Sequence, residues 1–349
     1  MLLRDADAAH ASDVARRVVD ALYRPVELAG LQVDARGAVG IALHPDHGDD
    51  ADELMRRAKV AMYRAGANGH FALYSGMHDD ERRHRLALID DLRRAIDAGE
   101  LLLFCQPKVD MRTRRFCGAE ALMRWKHQRR GMISPAIFVE LAESSGLITP
   151  LTQWVLEAAF DARHRWHEAG FEQPLAVNLS ARDLHDPRLV DRVQGLMSAW
   201  GIREGWMQFE LTESVLMSEP ATVIDTLGGL RDLGIELMVD DYGTGYSSLR
   251  YLQQMPVSSI KIDQSFVRRI VDDPESAAIV RSTVELCHAL HKRAIAEGVE
   301  EVAVWNALEA IGCDAVQGYY VGRPLPVNEF PAWARASRWS QPAPSTAKT

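Results

Sequence analysis

The chain has little of what would make it a disulfide-stapled, membrane-spanning or nucleic-acid-coating protein. Only four cysteines occur in 349 residues. Cys105, Cys117, Cys287 and Cys313 stand far apart with no C-x-x-C pair, so neither a zinc knuckle nor a disulfide framework is predicted. A reducing cytoplasm is the location this usage fits. No apolar run approaches the roughly 18 residues of a membrane span, and the opening MLLRDADAAH turns acidic too soon for a signal peptide. Positive charge is scarce as well. Lys and Arg number 40 against 49 Asp and Glu, a net charge of -9, the wrong sign for a protein held on nucleic acid by a general basic surface. A phosphate-bearing ligand would therefore need local cations. Core-forming material is plentiful: 47% hydrophobic and 26% charged residues describe an ordinary globular chain, of about two domains at roughly 100–200 residues each.

Residues 1–75 read as a short strand, a helix over 12–22 with Ser12 as N-cap, two strands around 31–43 and a second helix over 51–65. In the second helix Leu54, Ala58, Ala61 and Met62 share one face, and the pattern stops at Gly66, Asn68 and Gly69. Residues 77–99 set Leu86, Ile89, Leu92 and Ile96 on one face of a charged connecting helix. After Leu101 an apolar strand, a helix and another apolar strand recur almost to the end. Strands are expected at 101–109, 117–125, 175–180, 207–213, 235–241, 259–266, 294–300 and 315–321, with helices between most of them. Eight such strands favour the α/β class and a (β/α)8 TIM-like barrel, preceded by a small α+β fragment, over an open doubly wound sheet. The WSQPAPSTAKT tail is expected to be disordered.

In such a barrel the chemistry gathers at the C-terminal ends of the strands. Those ends hold Glu120, Asn178, Glu210, Asp240 with Asp241, Lys261 with Asp263, Glu297 with Glu300, and Gln317. Any one alone fits a turn or a helix cap. Seven ends closing on an acid, amide or amine point to one shared site. Five carboxylates at one mouth (Glu120, Glu210, Asp240, Asp241 and Glu297) cannot all stay ionised unless cations join them. Two divalent ions and Lys261 would balance them, and an all-oxygen donor set suits Mg2+ or Mn2+. Side chains of Asp240 and Asp241 would diverge in a regular strand, but the second can swing round where the strand runs into Gly243-Thr244-Gly245. Two metals a few ångström apart serve in-line phosphoryl displacement. The helical pairs His164/His167 and His288/His291 read as surface histidines, and Gly243-Thr244-Gly245 lacks the Gly-Lys-Ser/Thr ending of a phosphate loop.

A family resemblance sits on these same positions. Glu120-Ala121-Leu122-Met123-Arg124-Trp125 resembles the signature of EAL-domain phosphodiesterases, enzymes that linearise cyclic di-GMP to pGpG. It is joined in the family's order by Gln106-Pro107, FVELAE from Phe138, VNLS from Val177, FELTES from Phe209, DDYGTGYSSL from Asp240, KIDQSF from Lys261, AEGVE from Ala296 and QGYY from Gln317. The resemblance implies that Glu120, Asn178, Glu210 and Asp240 bind one metal, and Asp240, Asp241 and Glu297 a second. It implies a catalytic set of Lys261, Glu297, Gln317 and Glu120, with Lys261 polarising the attacking water and Gln317 ordering it. Gln106, Leu122 and Arg124 would contact the substrate, the planar fork of Arg124 suiting an anionic diester. Glu213 would anchor the loop 243–248, which joins the metal site to the dimer surface of a homodimer formed through the barrel. Separately, IALHPDHGDDADELMRRAKVAMYRAGANG resembles the C-terminal half of a GGDEF, or diguanylate cyclase, domain without its signature hairpin, so no GTP site follows. The expected layout is residues 1–76 as a partial GGDEF-like unit, 77–99 as a connecting helix, 100–337 as the phosphodiesterase barrel and 338–349 as a tail. Hydrolysis of cyclic di-GMP with Mg2+ or Mn2+ is the expected function; a non-hydrolytic receptor acting through a protein partner is the alternative.

Overall fold

Small residues set the close packing of the N-terminal part. Strand Val39–Ile41 pairs in parallel with Phe71–Leu73, and helix Ala51–Asn68 makes the crossover between them. A Cβ on Gly40 would lie 1.9 Å from the Ala58 carbonyl oxygen, so glycine is what lets this helix lie so close to the strand. A second helix, Ala8–Leu22, buries Ala11, Ala15 and Val19, an i, i+4, i+8 stripe. It starts before the predicted position, and no strand precedes it. The Ser12 hydroxyl donates to the Ala8 carbonyl at 2.7 Å, so Ser12 lies inside the helix. Asp7 takes the capping role instead, accepting from the His10 amide at 2.7 Å. Val26–Leu28 and Leu31–Val33 form an antiparallel pair.

The computed structural model describes residues 1–22, 26–28, 31–33, 37–68, 71–75, 77–213, 220–244 and 249–340. The chain divides into two compact units, Met1–Leu88 and Ile89–Thr349. The charged helix spans Met77–Ala98 and buries Leu88, Leu92 and Ala95, whereas Leu86, expected on that face, is 57% exposed.

In the second unit eight strands close a barrel: β1 (Leu101–Asp110), β2 (Arg115–His127), β3 (Leu175–Leu179), β4 (Met207–Thr212), β5 (Glu236–Tyr242), β6 (Ser259–Ile262), β7 (Arg293–Ala296) and β8 (Ala315–Gln317). From β2 to β8 each strand runs parallel to the next. Closure comes from β1, which is antiparallel to both β8 and β2. The alternation of strand and helix therefore begins only after β2. A short turn joins β1 to β2, which is all that an antiparallel pair needs. Asp110 Oδ1 accepts from the Thr113 amide at 2.8 Å and its hydroxyl at 2.9 Å, and Arg114 adopts φ 55°.

Strands buried on both faces read as near-continuous apolar runs: Leu175, Ala176 and Val177 in β3 and Ile260 and Ile262 in β6 are all buried. Helices such as Ile148–Glu168 cover the outside, supplying Leu151, Val155, Leu156 and Phe160 to the core. The last three strands are shorter than predicted because polar residues and glycines turn the chain. Asp263 caps the short helix Gln264–Val267 by accepting from the Ser265 amide at 2.9 Å, and Gly298 takes φ 66° just beyond β7. Trp339, expected in the tail, is buried and donates to the Val321 carbonyl at 3.1 Å; residues 341–349 lie outside the described residues. Among the described residues no helix is long and apolar enough to cross a membrane.

Candidate metal centre

Strand direction decides which side chains reach the mouth. Because β1 runs against its neighbours, Gln106 lies opposite Glu120 in the β1–β2 register, although it is in mid-strand. β2 pairs with β3 only over Ala119–Ala121 and then continues beyond the barrel rim beside β1. Glu120, Leu122 and Arg124 alternate onto one face of that extension.

Lys261 is the hub. Its side chain is 0% exposed, and its Nζ lies 2.6 Å from Glu210 Oε2, 2.7 Å from Glu297 Oε1, 3.0 Å from Asp240 Oδ1 and 3.3 Å from Glu120 Oε2. Burial by itself would lower its pKa, but Asp240, Glu120, Glu210 and Glu297 outweigh that and raise it well above the ordinary lysine value. The carboxylates respond unequally. Burial raises Glu120 and Asp240, with help from Glu210 in each case, and pushes Glu297 up to about 8 against the pull of Lys261. Glu210 is pulled down to about 2, because Lys108 and Lys261 outweigh its own burial.

Asp240 and Asp241 show how two adjacent acids serve one site. Asp241 takes φ 52°, a left-handed conformation that is uncommon for a residue other than glycine. The β5–β6 register shifts between Val239 and Tyr242, and the Asp241 amide donates to Asp240 Oδ1 at 2.9 Å. This bulge lets both side chains face the mouth, as the predicted swing required. Beyond it the Gly243 amide donates to Glu213 Oε2 at 3.0 Å. Residues 245–248 of the expected anchored loop lie outside the described residues.

Carboxylate oxygens gather in two groups, Glu120–Glu210–Asp240 and Asp240–Asp241–Glu297, each with one oxygen per residue within 4.8 Å of the others. Asp240 belongs to both. Asn178 donates to Glu120 Oε1 at 2.8 Å, which ties it to the first group. Gln317 donates to Glu120 Oε2 at 2.6 Å and to Gln106 Oε1 at 3.1 Å, while its own Oε1 is buried with no partner. Hard oxygen donors in excess of positive charge, with an orphaned acceptor among them, fit Mg2+ or Mn2+. A cation at the second group would have to displace a proton from Glu297, whose carboxyl burial pushes up to about 8. Mn2+ affinity is therefore expected to weaken by up to about tenfold per pH unit as pH falls below that value. Calorimetric titrations at several pH values check this; an affinity that is flat between pH 6 and 8 would contradict it.

Of the strand-end residues predicted, Asp263 is spent on a helix cap, and Glu300 pairs with Arg268 at 2.7 Å on the surface. Arg124 is half-buried, donating to the Met123 carbonyl at 2.8 Å with its guanidinium 5.7 Å from the Phe104 ring centroid. His167 and His288 take separate carboxylate partners, Glu172 at 2.7 Å and Asp314 at 3.0 Å. All four cysteines are free, and burial pushes Cys287 and Cys313 up to about 12. Sequence reasoning missed Lys108. It is 2% exposed and lies 3.0 Å from Glu210 Oε1, so among the described residues the five carboxylates of the centre have two ammonium groups beside them rather than one. Its period-two relation to Gln106 was the available signal.

Comparison with known proteins agrees with this geometry. Residues 89–324 match the EAL domain family, and residues 1–71 match the diguanylate cyclase, GGDEF domain family. The bifunctional diguanylate cyclase/cyclic di-GMP phosphodiesterase MucR of Pseudomonas aeruginosa is 36% identical over 334 residues, 95% of this chain and 49% of that protein. The cyclic di-GMP phosphodiesterase PdeR of Escherichia coli is 34% identical over 322 residues, 92% of this chain and 49% of that one. The chain thus spans about half the length of these curated relatives. Among solved structures, the PaMucR phosphodiesterase in complex with c-di-GMP superposes with a TM-score of 0.68 at 38% identity, covering 70% of this chain and 99% of that one. With two thirds of its length matched and the acidic barrel mouth in place, the chain belongs to the EAL-domain family, preceded by a GGDEF fragment.

Proposed function

We propose that this chain is a metal-dependent phosphodiesterase that opens cyclic di-GMP to linear pGpG. The observation that carries the reading is the pair of carboxylate groups sharing Asp240 around the Lys261 ammonium, in a chain 38% identical to a phosphodiesterase solved with c-di-GMP. Glu120, Asn178, Glu210 and Asp240 would hold one divalent cation, and Asp240, Asp241 and Glu297 the other. When bound, such ions lower the pKa of an attacking water and neutralise charge on the phosphate. Lys261 orients that water and sets a fixed positive charge against the negative charge that develops in the transition state. Gln317 offers its unpartnered Oε1 to the same water. The water oxygen joins phosphorus in line as the ribose 3′ oxygen leaves, so the phosphate remains on the 5′ side of the product.

Arg124, Leu122 and Gln106 bind the substrate on the extended β1–β2 hairpin. The cavity beside Gln106, Glu120, Glu297 and Gln317 measures about 200 Å3, less than the roughly 300–1,000 Å3 of pockets that enclose a drug-sized ligand. A cyclic dinucleotide therefore lies across the mouth with one phosphate over the carboxylates. Glu213 anchors the segment after Asp241, and the barrel pairs with a second copy. In the division of labour proposed here, residues 100–337 carry the chemistry and residues 1–76 do not.

Incubating the protein with cyclic di-GMP and resolving the nucleotides by chromatography tests the reading. Mg2+ or Mn2+ is expected to yield pGpG, and Ca2+ alone is not, since the larger ion tolerates looser coordination and acidifies water less. Binding of cyclic di-GMP without product in any ion would favour the receptor alternative, and full activity with Ca2+ alone would contradict the mechanism.

A further inference from the structure

Lys108 is buried in the barrel interior, on the side of Glu210 away from Lys261. It lines a small cavity with Met238, Ile295 and Ala315 of a buried apolar cluster, together with the polar Gln208, Glu236 and Ser259. A buried ion pair is costly to desolvate, and apolar side chains of similar volume often serve a fold as well or better. The contacts of Lys108 are nonetheless specific. It reaches Glu210 Oε1 at 3.0 Å and Gln208 Oε1 at 3.3 Å, and Gln208 in turn donates to Glu236 Oε2 at 2.7 Å. Glu210 is 0% exposed, with Lys108 on one oxygen and Lys261 on the other. The two lysines divide this carboxylate: Lys108 takes the oxygen turned into the barrel, and only Oε2 remains beside Lys261 at the mouth.

We propose that Lys108 is a positioning residue, which occupies the inner oxygen of Glu210 so that this ligand meets a cation through one oxygen, and whose charge restrains the centre from holding cations too tightly. The inference rests on the metal reading above. Without Lys108, Glu210 is free to offer both oxygens, and one positive charge no longer repels the cations. Both changes tighten metal binding. They also alter the geometry and charge under which the water is activated, so turnover slows. A lysine that served only the fold would give the opposite pairing when removed, with weaker metal binding and lower activity together.

The test uses the full chain with Lys108→Met, which keeps an unbranched stem, and Lys108→Gln, which keeps a donor for Oε1 without the charge. Mn2+ affinity is measured by calorimetry, and kcat and KM for cyclic di-GMP at saturating Mn2+. Lys108→Met is expected to bind Mn2+ about tenfold more tightly, with kcat lower by about tenfold or more and KM within about twofold. Lys108→Gln is expected to bind Mn2+ more tightly than the parent, with kcat between the two. Unchanged or weaker Mn2+ binding in a folded variant, or an unchanged kcat in Lys108→Met, overturns the proposal. If Lys108→Met does not fold, Lys108→Gln is judged by the same two readings. A parent chain that takes up no Mn2+ overturns the metal reading itself, and this inference with it.

Discussion

Asp240→Asn is expected to leave a folded barrel whose hydrolysis of cyclic di-GMP falls by about 10³-fold or more. Asp240 is the one side chain common to both carboxylate groups, so the substitution removes negative charge from two cation sites at once. Shape is preserved, since the amide oxygen can still accept from the Asp241 amide, which now lies 2.9 Å from Asp240 Oδ1. Glu120→Gln should behave similarly, though it touches only the first group. The metal-free fold should not suffer, because burial disfavours the charged form of Asp240 by more than Lys261, 3.0 Å away, favours it, and a neutral amide relieves repulsion from Glu210. Thermal melts separate these effects. Without metal the variant should melt at or above the parent's temperature. With Mn2+ it should gain less than the parent, whose stabilisation grows as the ratio of ion concentration to dissociation constant. Parent-like hydrolysis by either variant would make the two-metal assignment wrong.

Lys261→Ala should act on stability and on turnover in ways that metal can partly separate. The ammonium touches four carboxylates. Removing one partner from a buried ionic cluster costs about 3–5 kcal/mol, because the remaining charges lose their compensation. The metal-free variant should therefore melt well below the parent, and Mn2+ should recover most of the difference by supplying positive charge to the same oxygens. Turnover should remain about 10²-fold or more down even with metal restored, the scale of losing one preorganised electrostatic group, while KM changes little. A loss confined to KM would move Lys261 from the water to the substrate. A metal-free melt equal to the parent's would mean that the ring does not depend on this cation.

Sequence alone determined the repeating strand and helix pattern and marked the polar side chains that the barrel gathers at its mouth, and both have a local cause. Strands buried on two faces must be apolar along their length, so a polar residue at the end of such a run marks where the chain leaves the core. Asn178, Glu210, Lys261 and Gln317 stand out this way, and Glu120 stands where β2 leaves its pairing with β3. The pair Asp240–Asp241 was legible too, since only a distorted strand end could bring both to one side, and the left-handed Asp241 supplies that distortion.

Closure of the barrel was decided by tertiary structure. Nothing local in LLLFCQPKV tells a parallel strand from an antiparallel one, because alternation fixes faces and not direction. The direction of β1 follows from which strands it meets, β2 after a short turn and β8 some two hundred residues later. That reversal stacks Gln106 near the mouth and Lys108 beneath it. The second ammonium of the centre consequently meets Glu210 across 102 residues of chain. The charge balance of the site, five carboxylates against two lysines, is a sum over strands that only the closed barrel brings within bonding distance. Sequence marked each acid, because a polar strand end is a local signal; the fold fixed how many cations those acids already hold, because burial and partnership in a barrel interior are set by residues far apart in the chain.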